Sequence, residues 1–221
     1  MKRTAEPEEL MNEAEQALAY ASADFSEAND LFLRLFDRLH PAPFLGKAID
    51  LGCGPAAIPL QFACRHAEAR IEALDGAPAM LALAQEAIAA AGLEGRITTR
   101  CRHLPDAELP PRSFGAVLSN SLLHHLRDPL DLWRTIRHCA APGAVVVVMD
   151  LLRPRTPEAV EKLVTQYAAD APEVLQRDFR ASLHAAYKPW EVQEQLQQTG
   201  LQTLQVEQVS DRHLAVLGTL P

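Results

Sequence analysis

The segment Asp50-Leu51-Gly52-Cys53-Gly54 contains the residues best suited to hold a ligand. It joins a short apolar run at residues 47–51 to a helical pattern at residues 57–66. Glycines two positions apart let the backbone turn sharply and approach a ligand closely, and the helix that follows offers unpaired N–H groups. Asp50 would lie at the end of the strand beside that ligand. The pattern predicts a ligand-binding turn, with a tight turn that binds nothing as the alternative.

Asp75 is the second candidate, at the end of the next apolar run and directly before Gly76. It follows Gly54 by about 20 residues, the separation at which an acid reaches the two hydroxyls of a ribose in nucleotide-binding folds. A carboxylate accepts both O–H groups and repels a 2′-phosphate. The turn and the acid together predict a nucleoside-containing cofactor. They do not choose which one, because Gly52 to Ala57 also fits the G-x-G-x-x-A pattern of NAD enzymes.

Short apolar runs alternate with helical patterns from residue 47 onward, and these elements must position the two acids. The predicted strands are residues 47–51, 70–74, 97–101, 114–119 and 144–149, and the predicted helices between them are residues 57–66, 78–91 and 130–139. This alternation is typical of βαβ units, in which a parallel sheet is covered on both faces. Residues 204–209 and 213–218 are two further strands, joined by a link too short for a parallel crossover. They predict an antiparallel hairpin.

Helical segments flank the alternating region on both sides. Residues 5–19 and a segment capped by Ser26 predict two helices before it. After it, a long helical stretch is expected from about residue 157 to residue 187, and a further helix at residues 191–198 with Gly200 as its stop. The long stretch exceeds a simple connection between strands, so it predicts a helical cap.

Over roughly residues 45–150 the sequence resembles the class I S-adenosylmethionine-dependent methyltransferases of the methyltransferase type 11 kind. The resemblance is carried by the glycine turn, by Asp75-Gly76-Ala77-Pro78-Ala79-Met80-Leu81, and by the run LPPRSFGAVLSNSLLHHLRDP from Leu109 to Pro129. The sequence departs from the family pattern at Gly115, where an Asp is common. The resemblance implies an α/β fold, a Rossmann-like three-layer sandwich whose mostly parallel seven-stranded sheet has an antiparallel last strand.

The resemblance also implies S-adenosylmethionine as the cofactor and S-adenosylhomocysteine as the product. The residues that it assigns to the cofactor follow the ends of four strands: Asp50, Leu51, Gly52, Cys53 and Gly54 at the methionine portion, Asp75 and Gly76 at the ribose, Met80 under the adenine, His103 and Leu104 at the adenine edge, and Asn120 and Ser121 next to the sulfonium. If the alignment is shifted by one or two positions, Asp106 is the alternative residue at the adenine edge.

Methyl transfer from a sulfonium is an in-line displacement, in which orientation alone can supply roughly 7–11 kcal/mol of the barrier reduction. A general base is therefore optional. His124 and His125 follow the fourth strand and are the candidate bases, with packing or positioning as their alternative role. Tyr20 and Arg180 are the candidate substrate contacts, because a pocket over a cofactor needs a few convergent polar groups. The expected acceptor is a small molecule that the sequence does not identify.

The chain is interpreted as one methyltransferase domain with four parts. Residues 1–44 form an N-terminal helical lid, residues 45–150 the cofactor-binding core, residues 151–190 a helical cap, and residues 191–221 the last helix and the strand hairpin. Within the cap, Phe179, Leu183 and Tyr187 are spaced by four, so the buried face of a helix is an equal alternative for them. Whether the N-terminal helices cover the cofactor or extend the core stays open.

The 221-residue chain has a formal net charge of −8 and four cysteines without paired spacing. An acidic surface argues against a nucleic-acid partner, because nucleic acids are bound through Lys and Arg. No apolar run approaches the roughly 20 residues of a membrane span, and the charged N-terminus lacks the apolar stretch of a signal peptide. The chain is therefore expected to be cytoplasmic, without a membrane partner. No carboxylate–histidine cluster is evident, so no metal is expected. The oligomeric state stays open.

Two alternatives stand beside the methyltransferase. An NAD-dependent oxidoreductase shares the glycine turn and the acid, but it predicts neither the final antiparallel hairpin nor the Asn120-Ser121 segment. A protein that binds S-adenosylmethionine or S-adenosylhomocysteine without transferring a methyl group would keep every cofactor residue. A blocked or absent substrate cavity would favour this second alternative.

Overall fold

A seven-stranded sheet runs through the part of the chain that the computed structural model describes, residues 1–6 and 13–221. Its strands are β1 (Lys47–Leu51), β2 (Arg70–Asp75), β3 (Ile97–Cys101), β4 (Phe114–Asn120), β5 (Ala140–Leu151), β6 (Gln205–Gln208) and β7 (His213–Thr219). Their order across the sheet is β3-β2-β1-β4-β5-β7-β6. Strands β1 to β5 are parallel to one another, whereas β7 is antiparallel to both β5 and β6. The predicted fold class and the closing hairpin are confirmed.

Helices precede, connect and follow these strands. They are α1 (Ala14–Ser22), α2 (Ser26–Leu39), α3 (Ala57–Arg65), α4 (Pro78–Ala90), α5 (Leu130–Cys139), α6 (Pro157–Ala168), α7 (Glu173–Ala185) and α8 (Pro189–Thr199). The bounds of α3, α4 and α5 lie within one residue of the prediction. The predicted helix at residues 5–19 falls partly on residues 7–12, which lie outside the described residues.

Two local predictions are wrong. The long helical stretch is interrupted: α6 ends at Ala168 and α7 begins directly after Pro172, whose ring fixes φ and which has no N–H for the preceding turn. Ser26 does not cap α2, because it is already the first residue of that helix. The side chain of Asp24 accepts the backbone N–H of Ser26 instead, at 2.9 Å.

Both faces of the sheet are covered by helices. Along β5, Val145 and Val147 pack on one face with residues of α2, α3 and α4, and Val146 and Val148 pack on the other with residues of α5 and α8. A strand that is buried on both faces needs an unbroken apolar run, as this Val segment shows. The core therefore consists of two apolar layers with the sheet between them, which makes the domain a three-layer sandwich.

The two N-terminal helices occupy different places. Helix α2 belongs to the core, because Phe36 is fully buried and its ring meets those of Phe62 and Phe44 edge to face, with centroids 4.8 and 5.9 Å apart. Helix α1 lies apart from the main core and packs through Ala17 against Met80 of α4. The extension of the core is thus α2, and α1 is the helix in a position to cover the edge of the sheet.

Phe36→Ala is expected to lower the free energy of unfolding by about 3–5 kcal/mol, because it leaves a cavity between α2, α3 and the sheet. Leu45→Ala is the control, since Leu45 is 71% exposed and surface substitutions usually change stability by less than about 0.5 kcal/mol. Urea unfolding followed by circular dichroism measures both. Equally small effects would mean that α2 is not part of the cooperative core.

Candidate functional site

A cavity of about 340 Å³ lies at the carboxyl ends of β1, β2 and β4. Small-molecule pockets span roughly 300–1,000 Å³, and open α/β sheets bind ligands at this edge. The predicted cofactor residues that line the cavity are Gly52, Gly54, Asp75, Gly76, Met80, His103, Leu104, Asn120 and Ser121. The parallel strands bring these residues together although they come from four separate segments of the sequence.

The turn after β1 is held by the end of β2. The N–H groups of Gly52 and Cys53 both donate to the carbonyl oxygen of Leu74, each at 2.8 Å. Gly52 and Gly54 have φ values of 76° and 52°, which residues other than glycine rarely adopt. A Cβ on Gly52 would lie 2.9 Å from Cδ1 of Leu122, whereas a Cβ on Gly54 would meet nothing within 4 Å and would project toward the cavity. Gly52 therefore permits close packing, and Gly54 leaves room for a ligand.

The carboxylate of Asp75 is positioned by backbone groups. Its Oδ2 accepts the N–H of Gly54 and its Oδ1 accepts the N–H of Ala77, both at 2.8 Å. Burial raises the pKa of Asp75, and these two hydrogen bonds oppose that rise. A carboxylate offers about four lone-pair sites, so acceptor capacity remains for the hydroxyls of a ligand. The side chain lines the cavity, where the prediction places a ribose.

Asp50 and Asn120, near the ends of β1 and β4, each have a buried Oδ1 atom without a hydrogen-bond partner among the described residues. Burial, and then the nearby Asp75, raise the pKa of Asp50 to about 8. An unpaired buried acceptor costs about 1–3 kcal/mol, and of the two residues only Asn120 lines the cavity, so its Oδ1 can accept a hydrogen bond from a ligand. The ammonium and sulfonium groups of S-adenosylmethionine supply a donor and a positive charge. The residues present therefore fit this cofactor.

Three predicted cofactor residues do not line the cavity. Asp50, Leu51 and Cys53 are buried directly behind its wall. Burial, and then the charges of Asp50 and Asp75, raise the pKa of the Cys53 thiol well above its ordinary value. The thiol therefore stays protonated, and the side chain acts as a small apolar group.

The segment after β3 contributes His103 and Leu104 to the cavity. The competitor for the adenine edge, Asp106, does not line it. Its Oδ1 accepts the backbone N–H of Glu108 at 2.8 Å, and its other oxygen lies 3.5 Å from the guanidinium of Arg102. The carboxylate of Asp106 therefore stabilises the loop after β3 in which it lies.

The two candidate bases occupy different environments. His125 lines the cavity, and its Nδ1 contacts a carboxylate oxygen of Glu6, whose other oxygen accepts the hydroxyl of Ser182 at 2.6 Å. His124 is buried, with its Nδ1 2.5 Å from Oδ1 of Asp150. Burial alone would lower the pKa of His124, but the charge and hydrogen bond of Asp150 raise it overall. Burial alone would raise the pKa of Glu6, but the contact with His125 lowers it. Glu6 is a new member of the site that no sequence motif indicated.

The two candidate substrate contacts also lie in different places, one at the cavity and one away from it. Tyr20 of α1 lines the cavity, where burial, and then the charges of Asp75 and Asp150, raise its pKa to about 12. Its hydroxyl therefore stays protonated and can donate a hydrogen bond. Arg180 does not line the cavity, because its Nε and Nη2 donate to the carboxylate of Glu161 at 2.6 and 2.9 Å and so connect α7 to α6. Arg180 therefore lies outside the cavity in this structure, and its substrate role stays a prediction.

The cavity also contains residues to which the sequence analysis assigned no role, among them Arg102, Leu122, Leu126, Arg127, Asp128 and Asp131. Four of the six belong to the motif after β4 that ends in Arg127-Asp128-Pro129, so their place in that motif was the available signal. Nη1 of Arg134 donates to both Asp128 and Asp131 at 2.9 Å, so each of these carboxylates forms an ion pair with Arg134 at the edge of the cavity.

Residues 49–148 match the family model described as Methyltransferase domain. The chain is 28% identical over 101 residues to ajmaline N-methyltransferase of Rauvolfia serpentina, and 31% identical over 127 residues to trans-aconitate 2-methyltransferase of Methylobacterium radiotolerans. The aligned segments cover 46% and 57% of this chain, and 34% and 45% of those two proteins. The chain thus spans less than half of the length of these curated relatives.

Solved structures agree in fold. A S-adenosylmethionine-dependent methyltransferase from Aquifex aeolicus superposes with a TM-score of 0.67 at 15% identity, covering 93% of this chain and 98% of that one. Phosphoethanolamine N-methyltransferase 2 of Haemonchus contortus, solved with S-adenosylmethionine, gives a TM-score of 0.65 at 21% identity, covering 88% of this chain and 43% of that one. These structures confirm the predicted fold, and the family model matches residues 49–148, within the segment for which the sequence predicted the resemblance.

The NAD-dependent alternative is contradicted by two findings. The antiparallel β6–β7 hairpin is present, although that alternative predicts none. The family match spans the glycine turn and the Asn120-Ser121 segment together.

Among the described helices, none combines the length and the apolar character that a membrane crossing requires.

Gly52→Ala and Gly54→Ala are expected to have different effects. A methyl group at Gly52 collides with Leu122 and also strains a positive φ, so we expect the free energy of unfolding to fall by more than about 2 kcal/mol. At Gly54 there is space, so we expect only the strain of about 1–2 kcal/mol, together with weaker ligand binding. Urea unfolding and calorimetric titration separate the two effects. Equal stability losses would contradict the division of roles between the glycines.

Asp50→Asn is expected to change how stability depends on pH. The folded-state pKa of Asp50 lies near 8, above its ordinary value of 3.8, so the folded protein holds a proton that the unfolded chain has lost. Stability from this group is therefore lost as pH rises from about 4 to about 8. The variant avoids this loss, so its unfolding free energy relative to wild type should rise by at least about 1 kcal/mol between pH 5 and pH 8.5. Parallel stability profiles would contradict the assignment.

Proposed function

We propose that this chain, which belongs through residues 49–148 to the methyltransferase domain family, transfers a methyl group from S-adenosylmethionine to a small organic acceptor. The observation that carries the proposal is the pair of acceptors in the wall of the cavity, the buried and unpartnered Oδ1 of Asn120 and the carboxylate of Asp75. They offer acceptors to a ligand that combines an ammonium group, a sulfonium and a ribose. A nicotinamide cofactor has no ammonium group for them.

In this proposal, different residues around the cavity contact different parts of the cofactor. The carboxylate of Asp75 would accept the ribose hydroxyls, Met80 would pack under the adenine, and Gly54 leaves room for the methionine portion. Asn120 and Ser121 would face the sulfonium from the end of β4. When bound, S-adenosylmethionine supplies an activated methyl group and a neutral thioether as the leaving group.

The other task of the protein is to orient the acceptor and exclude water, since alignment of the reacting atoms supplies much of the rate. The protonated hydroxyl of Tyr20 can donate a hydrogen bond into the cavity. His125 lines the cavity, whereas His124 is enclosed. Of the two histidines, we therefore place His125 at the acceptor and assign His124 to the wall behind it.

Helix α1 lies beside the cavity and is bonded to α7. Nε2 of Gln16 in α1 donates to Oδ2 of Asp178 in α7 at 2.6 Å, and α1 brings Tyr20 to the cavity. In this proposal α1 acts as the lid, and α6 and α7 support it as the cap. A covered cavity suits a small acceptor, in line with the small molecules, ajmaline and trans-aconitate, that the names of two relatives contain.

Calorimetric titration with S-adenosylmethionine, S-adenosylhomocysteine and NADH tests the cofactor, with Asp75→Asn as the variant. We expect micromolar binding of the two sulfur compounds alone, weakened at least tenfold (about 1.4 kcal/mol) in the variant, because an amide is a poorer acceptor for two hydroxyls. Asp106→Asn is the matched control and should bind as wild type does, since Asp106 does not line the cavity. Binding of NADH alone would overturn the proposal.

Transfer is tested separately by the release of S-adenosylhomocysteine in the presence of amines, phenols, thiols and carboxylic acids of small size. Formation above the rate without acceptor supports the proposed reaction. Tight cofactor binding with no release across the panel would favour the protein that binds the cofactor and transfers nothing.

A further inference from the structure

Three side chains beside the cavity bring together donor atoms that metal ions prefer. One carboxylate oxygen of Glu6 and one ring nitrogen each of His124 and His125 lie within 4.8 Å of one another. The two imidazole rings lie side by side, with centroids 4.0 Å apart. Glu6 is 119 residues from His125 in the sequence, so no spacing could reveal the cluster. The expectation that the chain has no carboxylate–histidine cluster is therefore wrong.

The ring of His124 has one nitrogen without a partner among the described residues. Nε2 of His124 is buried and makes no hydrogen bond within the described parts of the chain, while Nδ1 of the same ring is engaged by Asp150 at 2.5 Å. A buried polar atom without a partner costs about 1–3 kcal/mol. When a carboxylate holds one nitrogen of an imidazole, it orients the ring and makes the other nitrogen a better metal ligand. Asp150 and His124 have this arrangement.

We propose that Glu6, His124 and His125 bind one divalent transition-metal ion in the wall of the cavity. Two imidazoles and one carboxylate form a donor set that leaves coordination positions open. Nitrogen donors select zinc-like and cobalt-like ions over magnesium and calcium, which take oxygen ligands. Ligand atoms about 2.1 Å from an ion are roughly 3.4 Å from one another in a tetrahedron, so side-chain rotations suffice to close the site.

Groups behind the three ligands hold them in place. The hydroxyl of Ser182 donates to the Glu6 oxygen that faces away from His125, at 2.6 Å. Nη2 of Arg3 donates to the carbonyl oxygen of His124 at 3.1 Å and so keeps the N-terminal segment next to the histidines. With Asp150 on His124, both Glu6 and His124 have the outer partners that well-formed metal sites require.

An ion at this place would be next to the acceptor, because His125 lines the cavity. An open coordination position would take a hydroxyl oxygen of the acceptor and lower the pKa of that hydroxyl, so that its proton would pass to water as the acceptor binds and before methyl transfer. This role rests on the proposed function. The binding of the ion does not, and it is measured without any cofactor or acceptor.

The test uses the full chain without a histidine tag, freed of metal by a chelator and then titrated with Co²⁺. Visible absorption reports the coordination, elemental analysis after dialysis gives the stoichiometry, and thermal unfolding reports stabilisation by the ion. The variants are His125→Ala and Glu6→Gln, the second of which keeps an acceptor for Ser182. The matched controls are His40→Ala and Glu68→Gln, which lie outside the cluster.

We expect one Co²⁺ to bind per chain in the wild type and in each of the two control variants. In His125→Ala and in Glu6→Gln we expect Co²⁺ to bind at least tenfold more weakly. Thermal unfolding without metal shows that each variant is folded. Lack of binding by the wild type, equal binding by all variants, or a thiolate charge-transfer band from Cys64 or Cys101 would each overturn the inference. If Co²⁺ binds as expected and S-adenosylmethionine does not, only the proposed function is contradicted. If S-adenosylmethionine binds and Co²⁺ does not, only the proposed metal site is contradicted.

Discussion

Three backbone N–H groups of the turn after β1 are bonded to the end of β2, two to the carbonyl oxygen of Leu74 and one to the carboxylate of Asp75. This arrangement depends on the positive φ values of Gly52 and Gly54. The floor of the cavity is therefore fixed by the neighbouring strand before any ligand arrives. Asp75 thus both holds the turn and offers its remaining lone pairs to the ligand, which couples the shape of the site to its specificity.

The N-terminal residues and helix α7 are joined to each other although they are distant in the sequence. The N–H of Thr4 donates to the carbonyl oxygen of His184 at 3.0 Å, and Nε of Arg3 donates to that of Ala185 at 2.6 Å. These bonds attach the N-terminal residues to the end of α7. The segments that the sequence analysis described as a lid and a cap are therefore packed on each other. A displacement of one segment would displace the other.

Local patterns predicted the sheet well, and nine of the residues that they assigned to a cofactor line the cavity. The bounds of β3 and α5 were predicted to the residue, because the β-branched residues of β3 and the 3.6-residue apolar period of α5 are both visible in the local sequence. The break between α6 and α7 was missed, since the helix-favouring alanines around Asp170 mask the effect of Pro172. The roles of Arg180 and Glu6 depend on contacts across 19 and 119 residues, and such contacts leave no trace in a local pattern.

The position of β7 has a consequence for how the chain is made. This strand pairs with seven residues of β5 on one side and with β6 on the other, so it lies inside the sheet although residues 213–219 follow every other strand in the sequence. During synthesis on the ribosome, β5 must wait with an open edge until those residues have emerged. Open edges recruit foreign strands, so nascent or truncated chains are the state in which this protein is most exposed to aggregation and most in need of a chaperone.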